Sequence, residues 1–237
     1  MKFTRCGLDI AKQVYQVHGA NEHGAVKGRK TLPRAKVLEY FAQLPPCLIG
    51  MEACGSAHYW ARALGKFGHT VRLMAPQFVI PYRNRGKNDA NDAEAICEAV
   101  GRPNMRFVAV KTEEQQAVLM VHRARSLAVA SRTALANQIR GLLGEFGLVV
   151  TKGVARLRAQ LPRILEDAEN GLPVLAREVL DGLLEQLREL DRRIQQYDLR
   201  IRQLAQQSEP ARRLMQVEAE SPTGPTPASR RGGPACL

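Results

Sequence analysis

Eight apolar residues, Leu180, Leu183, Leu187, Leu190, Ile194, Tyr197, Ile201 and Leu204, follow one another at alternating spacings of three and four without a slip. Only an α-helix puts such a series on one side, and one helix alone would leave the stripe in water. Residues 172–207 are therefore predicted to form a coiled-coil helix. Its partner is either a second copy, which makes a homo-oligomer, or an earlier helix of the same chain, which makes a hairpin. Arg192, Arg193, Arg200 and Arg202 lie off the seam. From residue 208 the periodicity is lost. Pro210, Pro222, Pro225, Pro227 and Pro234 crowd together with Gly224, Gly232 and Gly233, a composition that predicts a disordered tail over 208–237.

A second long helix is predicted upstream. Thr112-Glu113-Glu114-Gln115 has the capping-box pattern, in which the Thr and Gln side chains each satisfy a backbone donor at the helix start. The helix should run to about Phe146, where Gly144 and Gly147 mark its end, and span about 50 Å. Its apolar stripe is Leu135, Ile139, Leu142, Leu143 and Phe146. His122, Arg125, Arg132 and Arg140 share a narrow arc, which is either a solvated polar face or a stripe that tracks phosphates.

Residues 1–100 read as α/β. Phe3 to Ile10, Gln13 to His18 and Ala25 to Leu32 have strand character. Pro33 opens a helix with Val37, Leu38, Phe41 and Leu44 on one face, and Pro45-Pro46 ends it. Cys47 to Met51 is a short buried-type strand leading to Glu52. Ser56 is placed to cap a helix with Tyr59, Trp60, Ala63, Leu64 and Phe67 on its inner face, and Thr70 to Met74 is a further strand. Strands first, then helix and strand in alternation, predict a mixed sheet with helices packed on it.

The chain has 237 residues and a formal net charge of +12, with 35 basic against 23 acidic side chains. Such a surplus favours a polyanionic partner, because Lys and Arg release the counterions of a phosphate backbone. The five cysteines, Cys6, Cys47, Cys54, Cys97 and Cys236, are odd in number and contain no CxxC pair. A disulfide scaffold and a structural zinc site are thereby disfavoured, and a reducing cytoplasm fits. No targeting segment is visible, since Asp9 and Lys12 interrupt any apolar run near the start. The uncharged stretch Leu73 to Tyr82 is too short to span a bilayer.

Against this basic background four acids stand at the ends of apolar elements. Asp9 lies in the strand Gly7-Leu8-Asp9-Ile10, where a charge is costly unless compensated. Glu52 ends Leu48-Ile49-Gly50-Met51. A helix starting at Asp89 places Asp89 and Asp92 on the side that also carries Ala93, Ile96, Cys97 and Val100. Each acid has a plain alternative: a strand-end turn for Asp9, and helix-start capping or dipole compensation for the other three. Together they form an oxygen-only set of the kind that binds hard divalent cations, Mg²⁺ or Mn²⁺, beside phosphate. Arg83, Arg85 and Lys87 just upstream are placed to neutralise phosphate near such an ion.

Three segments resemble one family together. Gly7-Leu8-Asp9-Ile10-Ala11-Lys12, Gly50-Met51-Glu52-Ala53-Cys54-Gly55 and Lys87-Asn88-Asp89-Ala90-Asn91-Asp92-Ala93-Glu94-Ala95-Ile96 are similar, in order, residue type and D-x-x-D spacing, to the IS110 family of DEDD transposases. The likeness covers roughly residues 3–217. It implies a ribonuclease-H-like (RuvC-like) domain over 1–105, a helical linker over 106–171 and a coiled coil over 172–207. It also implies that Asp9, Glu52, Asp89 and Asp92 hold the catalytic metal, that DNA is the substrate, and that a bridge RNA guides the reaction. Family members continue into a domain bearing a catalytic serine. Ser221 and Ser229 lie in Pro-rich context unlike it, so a frameshifted or truncated product is expected.

Competing readings differ in what the acids do. A non-catalytic nucleic-acid-binding or dimerising remnant needs only the basic surplus and the seam. A RuvC-like nuclease acting alone on branched DNA would use the same four acids. A sugar-kinase-like or actin-like ATPase requires a Gly-rich phosphate turn after the first Asp, where this chain has Ala11-Lys12-Gln13.

Overall fold

The computed structural model describes residues 3–83 and 89–220, the side chains of 89, 90 and 216–220 excepted. The chain folds into two compact units, Met1–Gln115 and Gln116–Leu237.

The first unit is built on a six-stranded sheet of order β3-β2-β1-β4-β5-β6. Its strands are β1 (Arg5–Ile10), β2 (Val14–Ala20), β3 (Val26–Pro33), β4 (Leu48–Glu52), β5 (Thr70–Met74) and β6 (Phe107–Val108). β1, β2 and β3 form an antiparallel meander, β1, β4 and β5 run parallel, and β6 closes the edge antiparallel to β5. This mixed sheet with helices on both faces, followed by long helices, is consistent with a ribonuclease-H-like fold.

Strand alternation divides the side chains between two faces. Cys6, Leu8, Tyr15, Val17, Ile49, Met51 and Leu73 point to one face and pack under α1 (Val37–Ala42) and α2 (Ala57–Gly65). Buried His69 helps fasten that layer: its Nδ1 accepts the Cys47 N–H at 3.2 Å, and its Nε2 then donates to the Phe41 carbonyl at 2.9 Å. The opposite face is covered by α4 (Asp89–Val100). Ala93, Ile96, Cys97 and Val100 are all buried there, as the helical spacing predicts. α3 (Pro76–Val79) and a 3-10 turn at Ile80–Tyr82 lead toward it and add Val79 and Tyr82 to the cluster under α4.

The α2 face differs from the expectation. Ala57, His58, Trp60, Ala61 and Leu64 are its buried residues, while Tyr59 and Phe67 are exposed. The helix is rolled so that Trp60 meets Tyr15 edge-on, with centroids 5.1 Å apart, and Tyr59 falls on the solvent side. Ser56 occupies the N-cap position but makes no capping bond with its side chain. The Thr112 box forms as predicted: Thr112 N–H donates to Gln115 Oε1 at 3.0 Å and Gln115 N–H to Thr112 Oγ1 at 3.2 Å.

The capped helix, α5 (Glu113–Glu145), ends where Gly147 turns left-handed at φ +76° and Leu148 N–H reaches back to the Leu143 carbonyl at 3.0 Å. α6 (Val154–Glu166), α7 (Val174–Gln207) and α8 (Glu209–Glu220) complete the second unit. Its core joins Ala136, Ile139 and Leu143 of α5, Leu157 and Leu161 of α6, and Leu180, Leu184 and Leu187 of α7. Phe146, assigned to the apolar stripe of α5, is exposed.

Two expectations change here. The buried stripe of α7 is Leu180, Leu184, Leu187, Asp191 and Ile194, so the front half of the heptad seam is consumed inside the chain. Leu183, Leu190, Tyr197, Ile201 and Leu204 are left half-buried beside it. The tail expected over 208–237 is not irregular throughout, because Glu209–Glu220 is helical. Pro210 falls in the first turn, where backbone N–H groups have no helical acceptor, and Arg213 pairs with Glu209 one turn earlier. The rest of that tail, with Ser221, Ser229 and Cys236, lies outside the described residues. Cys6, Cys47 and Cys97 are free and buried, and Cys54 is free and exposed. Among the described residues no helix is long and apolar enough to cross a membrane.

Candidate metal centre

Two glycines bring α4 down onto the sheet. Gly7 of β1 and Gly50 of β4 are direct partners in the parallel register. A Cβ at Gly7 would lie 2.0 Å from the Ala93 carbonyl oxygen and 2.5 Å from the Cys97 nitrogen, and one at Gly50 would lie 2.7 Å from Val100 Cβ. Glycine at Gly7 admits the helix backbone this close, and glycine at Gly50 admits the Val100 side chain. Two ion pairs hold α4 in place, Arg5–Glu98 at 3.2 Å and Arg29–Glu94 at 3.0 Å.

The acids follow from that contact. Asp9 and Glu52 each stand two residues after one of the paired glycines, so their side chains leave the sheet on the α4 face. β1 and β4 are neighbours, with strands roughly 4.8 Å apart, and both acids sit at the carboxyl ends of these strands. Asp92 lies in the first turns of α4, whose other end is pinned over Gly50 by Val100. Asp9 and Glu52 thus leave the carboxyl ends of two central strands on the face that α4 covers, and α4 carries Asp92. The backbone of Asp89 opens α4 one turn before Asp92.

Arg83 closes the arrangement. Its Nη2 donates to Glu52 Oε1 at 2.9 Å, and its Nε lies 3.0 Å from Asp92 Oδ1. The second contact is ionic without an aligned hydrogen bond, so Arg83 Nε and Asp92 Oδ1 are both buried without a hydrogen-bond partner. One guanidinium thereby serves two carboxylates from different elements. Among the described residues no group of three or more His, Cys, Asp or Glu side chains converges closely enough to hold a metal ion. The donors nonetheless suit a hard cation: they are all carboxylate oxygens, and Asp92 Oδ1 is a buried acceptor short of a donor.

The other basic residues singled out in the sequence divide three ways. Arg85 and Lys87 lie outside the described residues. Arg125 pairs with Asp198 of α7, and Arg132 Nη1 donates to Asp191 at 3.1 Å. Arg140 bonds Asn137 on its own helix. The arc on α5 is therefore partly a strap between helices. The role of Gly7 and Gly50 emerges only from the fold. The signal was present as a repeated pattern, Gly7-Leu8-Asp9 and Gly50-Met51-Glu52, in which a glycine precedes an acid by two on neighbouring strands.

Residues 6–147 match the DEDD transposase model of the IS110 type, described as a transposase. The chain is 50% identical over 236 residues to a "Probable family 20 transposase" of Pseudomonas aeruginosa, covering 99% of this chain and 70% of that protein. It is 36% identical over 214 residues to a transposase for insertion sequence element IS1328 of Yersinia enterocolitica, covering 90% of this chain and 63% of the relative. A transposase for element IS1111A of Coxiella burnetii is 40% identical over 211 residues, 89% of this chain and 58% of the relative.

Proposed function

Because this chain belongs to the IS110 family of DEDD transposases, we propose that Asp9, Glu52, Asp89 and Asp92 form a divalent-metal site for phosphodiester chemistry on DNA during transposition. The observation that supports it best is the placement of Asp9 and Glu52 two residues beyond the glycines on which α4 rests, with Asp92 carried by α4 itself. When bound, Mg²⁺ or Mn²⁺ would stabilise charge on the attacking and leaving oxygens of the displaced phosphodiester.

The protein's own residues then have separable tasks. Asp9, Glu52, Asp89 and Asp92 hold the ion and thereby orient the phosphate beside it. Gly7 and Gly50 set the height of α4 over the sheet, so the strand acids and the helix acids keep one spacing. The surplus of +12 attracts the nucleic-acid backbone, and Arg85 and Lys87 of the first unit and Arg140 of the second are each proposed as separate phosphate contacts. A guide RNA is a partner by resemblance, and the half-buried Tyr197, Ile201 and Leu204 of α7 offer the later part of the seam to a second copy.

A second reading has one observation in its favour. Arg83 already bridges Glu52 and Asp92, which suits a nucleic-acid-binding chain without metal chemistry. Calorimetric titration of the full chain with Mn²⁺ separates the two. The metal reading predicts that Asp9→Asn and Glu52→Gln, each checked for intact fold by circular dichroism, weaken binding by about tenfold or more. Equal affinity in the wild type and both variants sinks it and leaves salt-sensitive nucleic-acid binding as the function.

A further inference from the structure

We infer that Arg83 is the pocket's built-in counter-ion, which holds Glu52 and Asp92 together before metal arrives and is displaced by the metal when it binds. The inference rests on the metal reading above and concerns a residue to which the sequence assigned only phosphate contact.

The backbone of Arg83 is fixed while its head group is badly served. Arg83 N–H donates to the Ile80 carbonyl at 3.1 Å, at the end of the 3-10 turn Ile80–Tyr82. Val79 and Tyr82 beside it pack in the cluster with Ile96, Ala99 and Val100 of α4. The root of the side chain therefore moves with α4. The strongest arginine–carboxylate contacts present the fork to one carboxylate through two parallel hydrogen bonds. Here the head group is split between two acids on different elements, with one good bond to Glu52. Toward Asp92 it makes only an unaligned contact, which leaves Arg83 Nε and Asp92 Oδ1 buried without hydrogen bonds.

Charge and size make this contact replaceable. Among the described residues one guanidinium faces the two carboxylates, and a compact divalent cation neutralises such a pair better than a monovalent planar group. Without Arg83 the two acids would repel, and the pocket would have to be assembled each time an ion binds. With Arg83 the acids are pre-placed at low cost. Once displaced, the guanidinium is released beside the metal, where a phosphate oxygen is its natural acceptor. Arg83 is thus a positioning residue in the metal-free chain and a phosphate ligand only after loading.

The test uses the full chain, with Arg83→Gln and Arg83→Lys, in calorimetry and thermal melts with Mn²⁺ and Mg²⁺ at constant ionic strength. Arg83→Gln should melt at a lower temperature without metal, bind Mn²⁺ about tenfold more tightly, and show a larger metal-induced rise in Tm than the wild type. Arg83→Lys, which keeps the charge, should stay close to the wild type. A wild type that binds Mn²⁺ beside an Arg83→Gln variant that binds equally or more weakly overturns the inference and leaves the metal reading intact. Absence of binding in all three proteins overturns both. Should Arg83→Gln fail to fold, the arginine Nε–H signals of the ¹⁵N-labelled wild type decide. The Arg83 signal, assigned by its absence in Arg83→Lys, must shift and exchange faster with water on adding Mg²⁺. A signal that Mg²⁺ leaves unchanged overturns the inference.

Discussion

Each unit contains an arginine–carboxylate knot, and the two are built in opposite proportions. In the helical unit Asp191 of α7 receives Arg132 of α5 at 3.1 Å and Arg158 of α6 at 2.6 Å, so one acid is held by two cations. In the sheet unit Glu52 and Asp92 share Arg83, so among the described residues two acids are held by one cation. An over-compensated acid has both oxygens engaged and serves to join three helices. The two acids that share one arginine stand beside the end of a central strand, where negative charge is costly unless it is compensated. The glycines differ in the same sense. Gly7 and Gly50 are pressed by α4, whereas a Cβ at Gly141, Gly144 or Gly182 in the long helices would meet nothing within 4 Å.

Substitutions can break this contrast at three points. The largest effect is expected from Gly7→Ala, whose new methyl would strike backbone atoms of Ala93 and Cys97 that have no rotamer to yield. It should destabilise the sheet unit by about 3 kcal/mol in urea unfolding. A loss below about 1 kcal/mol would mean that α4 does not rest on this glycine.

The knots themselves come next. Asp191→Asn leaves Arg132 and Arg158 without their acceptor charge, and because both arginines are partly exposed the loss should be about 2 kcal/mol rather than the full cost of a buried pair. Asp92→Asn, measured without metal, should change stability by less than about 1 kcal/mol, since Arg83 keeps Glu52 and one repulsion is relieved. The reverse order in chemical denaturation would show that the sheet knot is the structural one. The smallest effect is a gain: Gly182→Ala, on the open side of α7, should stabilise the helical unit by about 0.5–1 kcal/mol in a thermal melt.

Much of this was legible in the sequence wherever a short-range pattern carries the information. The strands of the meander, the buried face Ala93, Ile96, Cys97 and Val100, and both bonds of the Thr112 box follow from spacing alone. What spacing cannot supply is the identity of a partner. The seam of α7 announces an apolar stripe, but nothing local says that α5 and α6 take Leu180, Leu184 and Leu187, or that Asp191 is carried into that stripe by two arginines. Arg83 reads as one more basic loop residue until the sheet brings Glu52, distant in sequence, to its head group. β6, with two residues, is too short to show alternation, and Pro162 inside α6 and Pro210 in α8 mask helices that packing or the first-turn position tolerates.

Anomalous diffraction from crystals of the chain soaked in Mn²⁺ would show whether these carboxylates receive an ion. A manganese peak is expected at the carboxyl ends of β1 and β4, about 2.0–2.3 Å from carboxylate oxygens of Asp9, Glu52 and Asp92, with the Arg83 guanidinium moved off them. Crystals that show no such peak at saturating Mn²⁺, with Arg83 still bridging Glu52 and Asp92, would contradict the metal reading.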